Sequence, residues 1–236
     1  FRSIDERHGA SASCLVLAPF NQGSSQDIEA LVQYIYGTLQ WDLDFVIPFA
    51  AVSENGRDMT ELDSKSELAH RIMLTNVLRL AGNVCKAKRE RMIETRPAVL
   101  VLPLSPNHGV FGNDGLYGES KAGLETVLNR WHSENWFTYL TVAGAVIGWT
   151  RGTGLMNENN LIAEALELKG LRTFSSNEMA FNIVALLHPK LARLAEASPV
   201  YADFNGGLDQ IRDLSEITKE LRERQSESAR IKAALF

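Results

Sequence analysis

Uninterrupted apolar runs, separated by stretches of helical periodicity, are what most restrict the folds open to this sequence. Ser13–Phe20, Phe45–Ala51, Val99–Leu102 and Leu140–Ile147 are mostly apolar at consecutive positions, and Val200–Phe204 reads as a last strand before Asn205-Gly206-Gly207. A strand with one wet face alternates polar and apolar residues, whereas a continuously apolar strand suits a parallel sheet covered on both faces. Helical patterns fill the intervals: Asp27–Tyr36 capped by Ser25, a helix from about Ser64 to Leu80, one beginning near Tyr117, then Asn160–Leu168 and Asn177–Leu187. This alternation predicts an α/β fold with a doubly wound parallel sheet. Pro48 weakens the second strand, because proline cannot donate to a ladder.

With 236 residues the chain can hold one large domain. The charged pattern Leu214–Leu235 reads as a helix, which divides the chain into a domain over 1–212 and a C-terminal helical linker over 213–236. No apolar run approaches the ~20 residues that cross a bilayer, and Phe1–Arg7 holds no apolar signal core. The first residue is not Met, so the start is expected to lie upstream. Cys14 and Cys85 form no Cys-x-x-Cys pair and are expected as reduced core residues, which points to a cytoplasmic protein. A net charge of −5 argues against a dedicated nucleic-acid binder. The most basic stretch, Lys86–Arg96, also contains Glu90 and Glu94 and reads as a solvated loop.

The chemistry concentrates in Asn76, Ser105, Tyr117 and Lys121. Tyr117-Gly118-Glu119-Ser120-Lys121 is a Tyr-x-x-x-Lys at a helix start, and a spacing of four puts both side chains on one face. Leu124 and Leu128 continue the stripe, so Lys121 is expected on the buried side. A lysine there costs free energy unless it has a partner or a task. By itself the pair is a weak signal. Ser105 follows a buried strand, and ligands of open parallel sheets bind outside such carboxyl ends. Between Ser105 and Tyr117 runs a glycine-rich segment, either a plain surface turn or a loop that passes close to a ligand. Asn76 sits inside a helical pattern where asparagine is a poor former and, if buried, needs hydrogen-bond partners. Neither a Gly-x-Ser-x-Gly nor metal-ligand spacing among the histidines occurs.

In this order and spacing the four residues resemble the catalytic tetrad of the short-chain dehydrogenase/reductase superfamily. Longer stretches are more specific: Ser64–Asn76, Ile93–Ala98, Ser105–Gly109, Gly144–Met156 and Asn205–Leu208 are similar to the ketoacyl reductase domain of fungal-type fatty acid synthases, alpha subunit. The resemblance covers nearly the whole chain. It implies a Rossmann-like sheet and NADPH-dependent reduction of 3-oxoacyl-[acyl-carrier-protein]. Tyr117 is then the proton donor, and Lys121 lowers the phenol pKa and holds the nicotinamide ribose. Ser105 orients the carbonyl, and Asn76 fixes a water that reprotonates the pair. Cofactor contacts are implied at Asn21, Ala50, Tyr117, Lys121, Gly148, Trp149 and Thr150. The implied partners are an acyl carrier protein domain, the other alpha-subunit domains and the beta subunit, in a large hetero-oligomer. Lys86–Arg96 has a second reading in that setting, a docking patch for the acidic carrier.

The sequence departs from the family pattern in two places. No Gly-rich phosphate-binding turn precedes the first strand, so the sheet is expected to be incomplete, lacking its first two strands, and the fragment inactive alone. Ser13–Phe20 would then be separated from the later strands by a gap that another polypeptide segment fills. Where the family carries Pro-Gly, this chain has Ile147-Gly148. Two alternatives stand beside the reductase: another short-chain reductase or epimerase, and a non-catalytic scaffold that keeps the fold.

Overall fold

A computed structural model describes residues 2–155 and 160–235. Its strands are β1 (Phe45–Val46), β2 (Ala98–Leu104), β3 (Leu140–Ile147), β4 (Thr150–Arg151), β5 (Phe174–Ser175) and β6 (Val200–Phe204). The helices are α1 (Arg2–His8), α2 (Ser25–Gln33), α3 (Ser64–His70), α4 (Asn76–Glu90), α5 (Tyr117–Ser133), α6 (Asn160–Glu167), α7 (Ser176–Ala185), α8 (Pro189–Ala197) and α9 (Leu214–Leu235). The main sheet runs β1-β2-β3-β6, every pair parallel, with β2 and β3 in register from Ala98↔Leu140 to Leu104↔Val146. β4 and β5 pair separately.

Every residue of β2 is buried, and its successive side chains enter opposite layers. Leu100, Leu102 and Leu104 pack with Ile28 and Val32 of α2, Val77 and Val84 of α4, and Leu124 and Val127 of α5. Val99 and Val101 face the other way, with Met179 and Ile183 of α7 and Ala195 of α8. Helices on both faces of a parallel sheet make the three-layer α/β arrangement that the continuous apolar runs predict. Among the described residues no helix is long and apolar enough to cross a membrane.

Ser13–Phe20 is not a strand. It has no regular secondary structure and is exposed, with Leu15, Val16, Leu17 and Phe20 open to solvent, because no sheet edge among the described residues pairs with it. An apolar run forms a strand only where a neighbour takes its backbone hydrogen bonds. β1 is shorter than Phe45–Ala51: pairing stops at Val46, just before Pro48. The cap of α2 is Ser24 rather than Ser25, its Oγ accepting from the Asp27 N–H at 3.1 Å.

The helix expected over Ser64–Leu80 reaches Glu90 and is interrupted at Arg71–Thr75 by a π-helical turn. Lys86–Glu90 is therefore helix, not loop, and Lys88 is fully buried with its ammonium 2.6 Å from Asp42. Cys14 is exposed, contrary to the core placement. Cys85 is buried, and that burial pushes its thiol up to about 11. The α8 helix lacks a reading from periodicity but starts with proline at its first position and His188 as cap, a local signal for a helix start.

Candidate active site

Ser105 leaves the carboxyl end of β2, and its Oγ accepts a hydrogen bond from the Asn107 N–H at 3.1 Å. The chain returns at Tyr117, whose N–H donates to Asp114 O at 3.0 Å as α5 begins. Ser105, Tyr117 and Lys121 line a single cavity of about 980 Å³, together with Gly148, Trp149 and Thr150 beyond β3. Its other walls are largely apolar, with Ile47 and Phe49 after β1 and Met179 and Ile183 from α7. The sheet sets this place, since parallel strands deliver the loops after their carboxyl ends to one side.

Lys121 is 4% exposed, and its Nζ donates to the Pro103 carbonyl at 2.8 Å. Burial pushes its pKa down to about 8. The same ammonium stands 5.4 Å from the Tyr117 ring centroid. The phenol pKa is raised: burial is the largest cause and the Asp114 carboxylate adds to it, while the Ser105 hydroxyl opposes. Lys121 was expected to lower it. In this arrangement the lysine spends its hydrogen bond on strand backbone, and desolvation of the phenolate outweighs any help from the cation.

Asn76 lies outside the cavity wall. It is fully buried at the junction of the π turn and α4, with its N–H donating to Arg71 O. Its Nδ2 donates to Gln22 O, and its Oδ1 accepts from Arg79 Nη1 at 2.6 Å. The hydrogen-bond partners a buried asparagine requires are thus a backbone carbonyl and an arginine. Asn21 and Ala50 are exposed and also stand outside the cavity; the Asn21 Oδ1 accepts from Gly23 N–H at 2.9 Å, closing a turn ahead of α2.

Gly148 N–H donates to Phe204 O at 3.1 Å, and a Cβ on Gly148 would sit 2.5 Å from that oxygen, so glycine is required by close backbone approach. Thr150 Oγ1 donates to Gly148 O at 3.1 Å. Trp149 is 8% exposed and its indole N–H is buried without an acceptor among the described residues. The polar groups on the cavity wall, Ser105, Tyr117, Lys121 and Thr150, fit a polar ligand such as a nicotinamide. Met156, the last residue of one stretch that carried the resemblance, lies outside the described residues.

Two residues escaped the sequence reading. Ser120 Oγ donates to Leu116 O at 2.6 Å and lies 2.9 Å from His70 Nδ1. Its single proton is thereby used, so the Nδ1 of His70 must be the donor in the second bond. This bond ties the end of α3, just ahead of the π turn, to the first turns of α5. Ser120 stands directly before Lys121, which was the available clue. Glu54 is 6% exposed and its Oε2 accepts from Leu116 N–H at 3.0 Å, across a sequence separation that no local pattern reveals.

No family model matches the chain. The fatty acid synthase subunit alpha of Lachancea kluyveri is 58% identical over 240 residues, covering 100% of this chain and 13% of the relative. That of Saccharomyces cerevisiae is 56% identical over 240 residues, with the same coverage. The chain thus spans only 13% of the length of these curated relatives. Among solved structures, a short chain dehydrogenase/reductase family protein aligns with TM-score 0.61 at 18% identity, covering 80% of this chain and 75% of the other. A 4-hydroxyisoleucine dehydrogenase complexed with NADH aligns with TM-score 0.67 at 18% identity, covering 86% and 82%. Over its entire length, then, this chain is similar to one segment of fungal-type fatty acid synthase alpha subunits, and its parallel α/β fold is that of short-chain dehydrogenases/reductases.

Proposed function

We propose that this segment is the ketoacyl reductase of a fungal-type fatty acid synthase, reducing 3-oxoacyl-[acyl-carrier-protein] to the 3-hydroxyacyl form with NADPH. The observation that carries the reading is the convergence of Ser105, Tyr117 and Lys121 on one largely apolar cavity. Reduction of a ketone needs a hydride at carbon and a proton at oxygen. A bound nicotinamide supplies the hydride. Every other part falls to residues of this chain.

Tyr117 donates the proton. The phenol is protonated at neutral pH at its ordinary pKa, and burial raises that pKa further, so giving up the proton requires that the phenolate be stabilised. Ser105 donates a hydrogen bond to the substrate oxygen and aligns the carbonyl. Lys121, whose ammonium is beside the phenol ring, holds the cofactor ribose and stabilises the phenolate that forms when the proton leaves. Asn76 holds the π turn and α4 against Gln22, and its proposed water link to Lys121 requires a solvent path between the two side chains. Gly148, Trp149 and Thr150 form the nicotinamide side. Asn21 and Ala50 belong to the reading only as contacts to the remote half of the dinucleotide. Residues 1–212 are read as the reductase unit and 213–236 as a helical link to a following domain, with the first part of α9, Leu214 to Arg222, packed onto that unit. The carrier domain, the rest of the alpha subunit and the beta subunit are the partners.

The test uses the full-length alpha subunit with an acetoacetyl thioester, following NADPH or NADH oxidation. Tyr117→Phe is expected to lower the rate about 10²- to 10⁴-fold without changing the melting profile. Reduction unchanged by that substitution overturns the assignment. A preference for NADH would correct the cofactor alone.

A further inference from the structure

The geometry points to Arg222 of α9 as a positioning residue that pins the loop between Ser105 and Tyr117 over the cavity. This inference deepens the reductase reading and rests on it for its kinetic consequence.

Residues 106–116 cross from one catalytic side chain to the other with four left-handed positions: Gly109 (φ 83), Gly112 (φ 59), Asn113 (φ 53) and Gly115 (φ 57). A loop wound this way cannot close a regular ladder, so its backbone groups need partners elsewhere. Its first part is held by Asn107, whose Nδ2 donates to Asp114 Oδ2 at 2.7 Å and whose Oδ1 accepts from Gly109 N–H at 3.2 Å. Its last part is held by the segment after β1: Gly56 N–H donates to Asn113 O at 2.8 Å, and Gly115 N–H donates to Arg57 O at 3.1 Å.

The middle, Phe111–Gly112, is held from the other side. Arg222 Nη1 donates to Gly112 O, and among the described residues that carbonyl has no other partner. Phe111 stands edge-on to Trp149, with ring centroids 5.7 Å apart, in an apolar cluster that includes Leu214, Ile217 and Leu221 of α9. One face of α9 thus supplies both the apolar seat and the hydrogen bond. Arg222 lines the cavity beside Asp114 and forms no ion pair within 4 Å among the described residues. A half-buried guanidinium carries a desolvation cost that exceeds the help of the nearby Asp114 charge, and its bond to the loop carbonyl gives the buried donor a partner. Asp114 carries the restraint onward, through its carbonyl to Tyr117 N–H and through Asn107 to the Ser105 hydroxyl.

The experiment compares the full-length alpha subunit with Arg222→Leu and Arg222→Lys, by amide hydrogen exchange and by reduction of an acetoacetyl thioester. In Arg222→Leu, amides of residues 109–115 are expected to exchange about 10-fold faster while those of β2 and β3 stay unchanged. The turnover number is expected to fall about 10- to 100-fold, more than KM changes, because the reacting groups lose alignment. Arg222→Lys keeps a donor for Gly112 O and should recover most of both. Unchanged loop exchange in Arg222→Leu overturns the proposal, as does a loss of turnover unaccompanied by faster exchange. If Arg222→Leu fails to fold, Arg222→Lys decides, since exchange and turnover that fail to move together in it count against a pin. An unaltered protein that reduces no ketothioester removes the reductase reading and leaves the exchange result to judge the pin.

Discussion

The Lys121 ammonium donates to the Pro103 carbonyl at 2.8 Å while standing 5.4 Å from the centre of the Tyr117 ring. Both groups are nearly without water, and each is pushed toward its neutral form: the phenol upward, the amine down to about 8. A buried strand can carry proline here because β1 has already stopped pairing at Leu100, and the Pro103 carbonyl finds the lysine instead.

Lys121 makes stability depend on pH in a definite direction. Its folded pKa of about 8 lies below the unfolded value near ~10.4. Below pH 8 both states hold the proton and the burial cost is fully present. Between the two values the unfolded state binds more protons, so stability rises with pH. Lys121→Met should therefore raise the melting temperature at pH 7, by an amount equivalent to about 1–3 kcal/mol, with the difference closing by pH ~10.5. Thermal melts across pH 6–11 check this. A Lys121→Met protein less stable at pH 7 would mean that the Pro103 bond outweighs desolvation.

Gly148 admits no side chain. The Cβ of Gly148→Ala would meet Phe204 O at 2.5 Å and the Asn205 carbonyl at 2.9 Å, both backbone atoms that cannot swing aside. The expected cost is about 2–3 kcal/mol, read as a lower denaturant midpoint with an unchanged slope. A neutral substitution would show that the ends of β3 and β6 separate easily.

Asp42 neutralises an ammonium sealed under α4. Lys88 Nζ is 2.6 Å from Asp42 Oδ1, which also accepts from Tyr36 Oη at 3.2 Å. Asp42→Ala strands the lysine and should cost about 2–4 kcal/mol, less than a fully enclosed pair because Asp42 is partly open. Adding Lys88→Met should return most of that loss. A double variant as unstable as the single one would place the loss in Tyr36 and the local backbone, not in the charge.

His70 should carry its proton on Nδ1, because Ser120 has already spent its own on Leu116 O. Nitrogen-15 spectra of the imidazole check the tautomer. A bare Nδ1 with the proton on Nε2 would mean that the Ser120 hydroxyl turns toward the histidine.

Much of the fold was legible, for reasons visible in particular residues. Ala98–Leu104 and Leu140–Ile147 announce themselves because both faces are dry, so apolarity runs without a break. Tyr117 and Lys121 were readable because four residues on a helix is a fixed geometry. Ser13–Phe20 misled because composition records what a segment could bury, while a strand also needs an adjacent edge. Lys88 looked solvated because its partner lies 46 positions away and no local pattern joins them. The Asn76 partner Gln22 O and the clamp of Arg222 on Gly112 were hidden for the same reason: tertiary contacts decide them. The phenol pKa went against the sequence expectation because burial, which spacing does not report, is its largest determinant.

The short first strand pairs only with β2 and leaves its other edge unpaired among the described residues, with Ile47 and Phe49 exposed after it and Leu15, Leu17 and Phe20 bare on the segment upstream. Handled as a separate polypeptide, a surface of that kind recruits whatever extended chain it meets, including another copy of itself. Concentrated preparations of the isolated segment should therefore grow in light scattering over hours, and a charged residue at Ile47 should slow that growth.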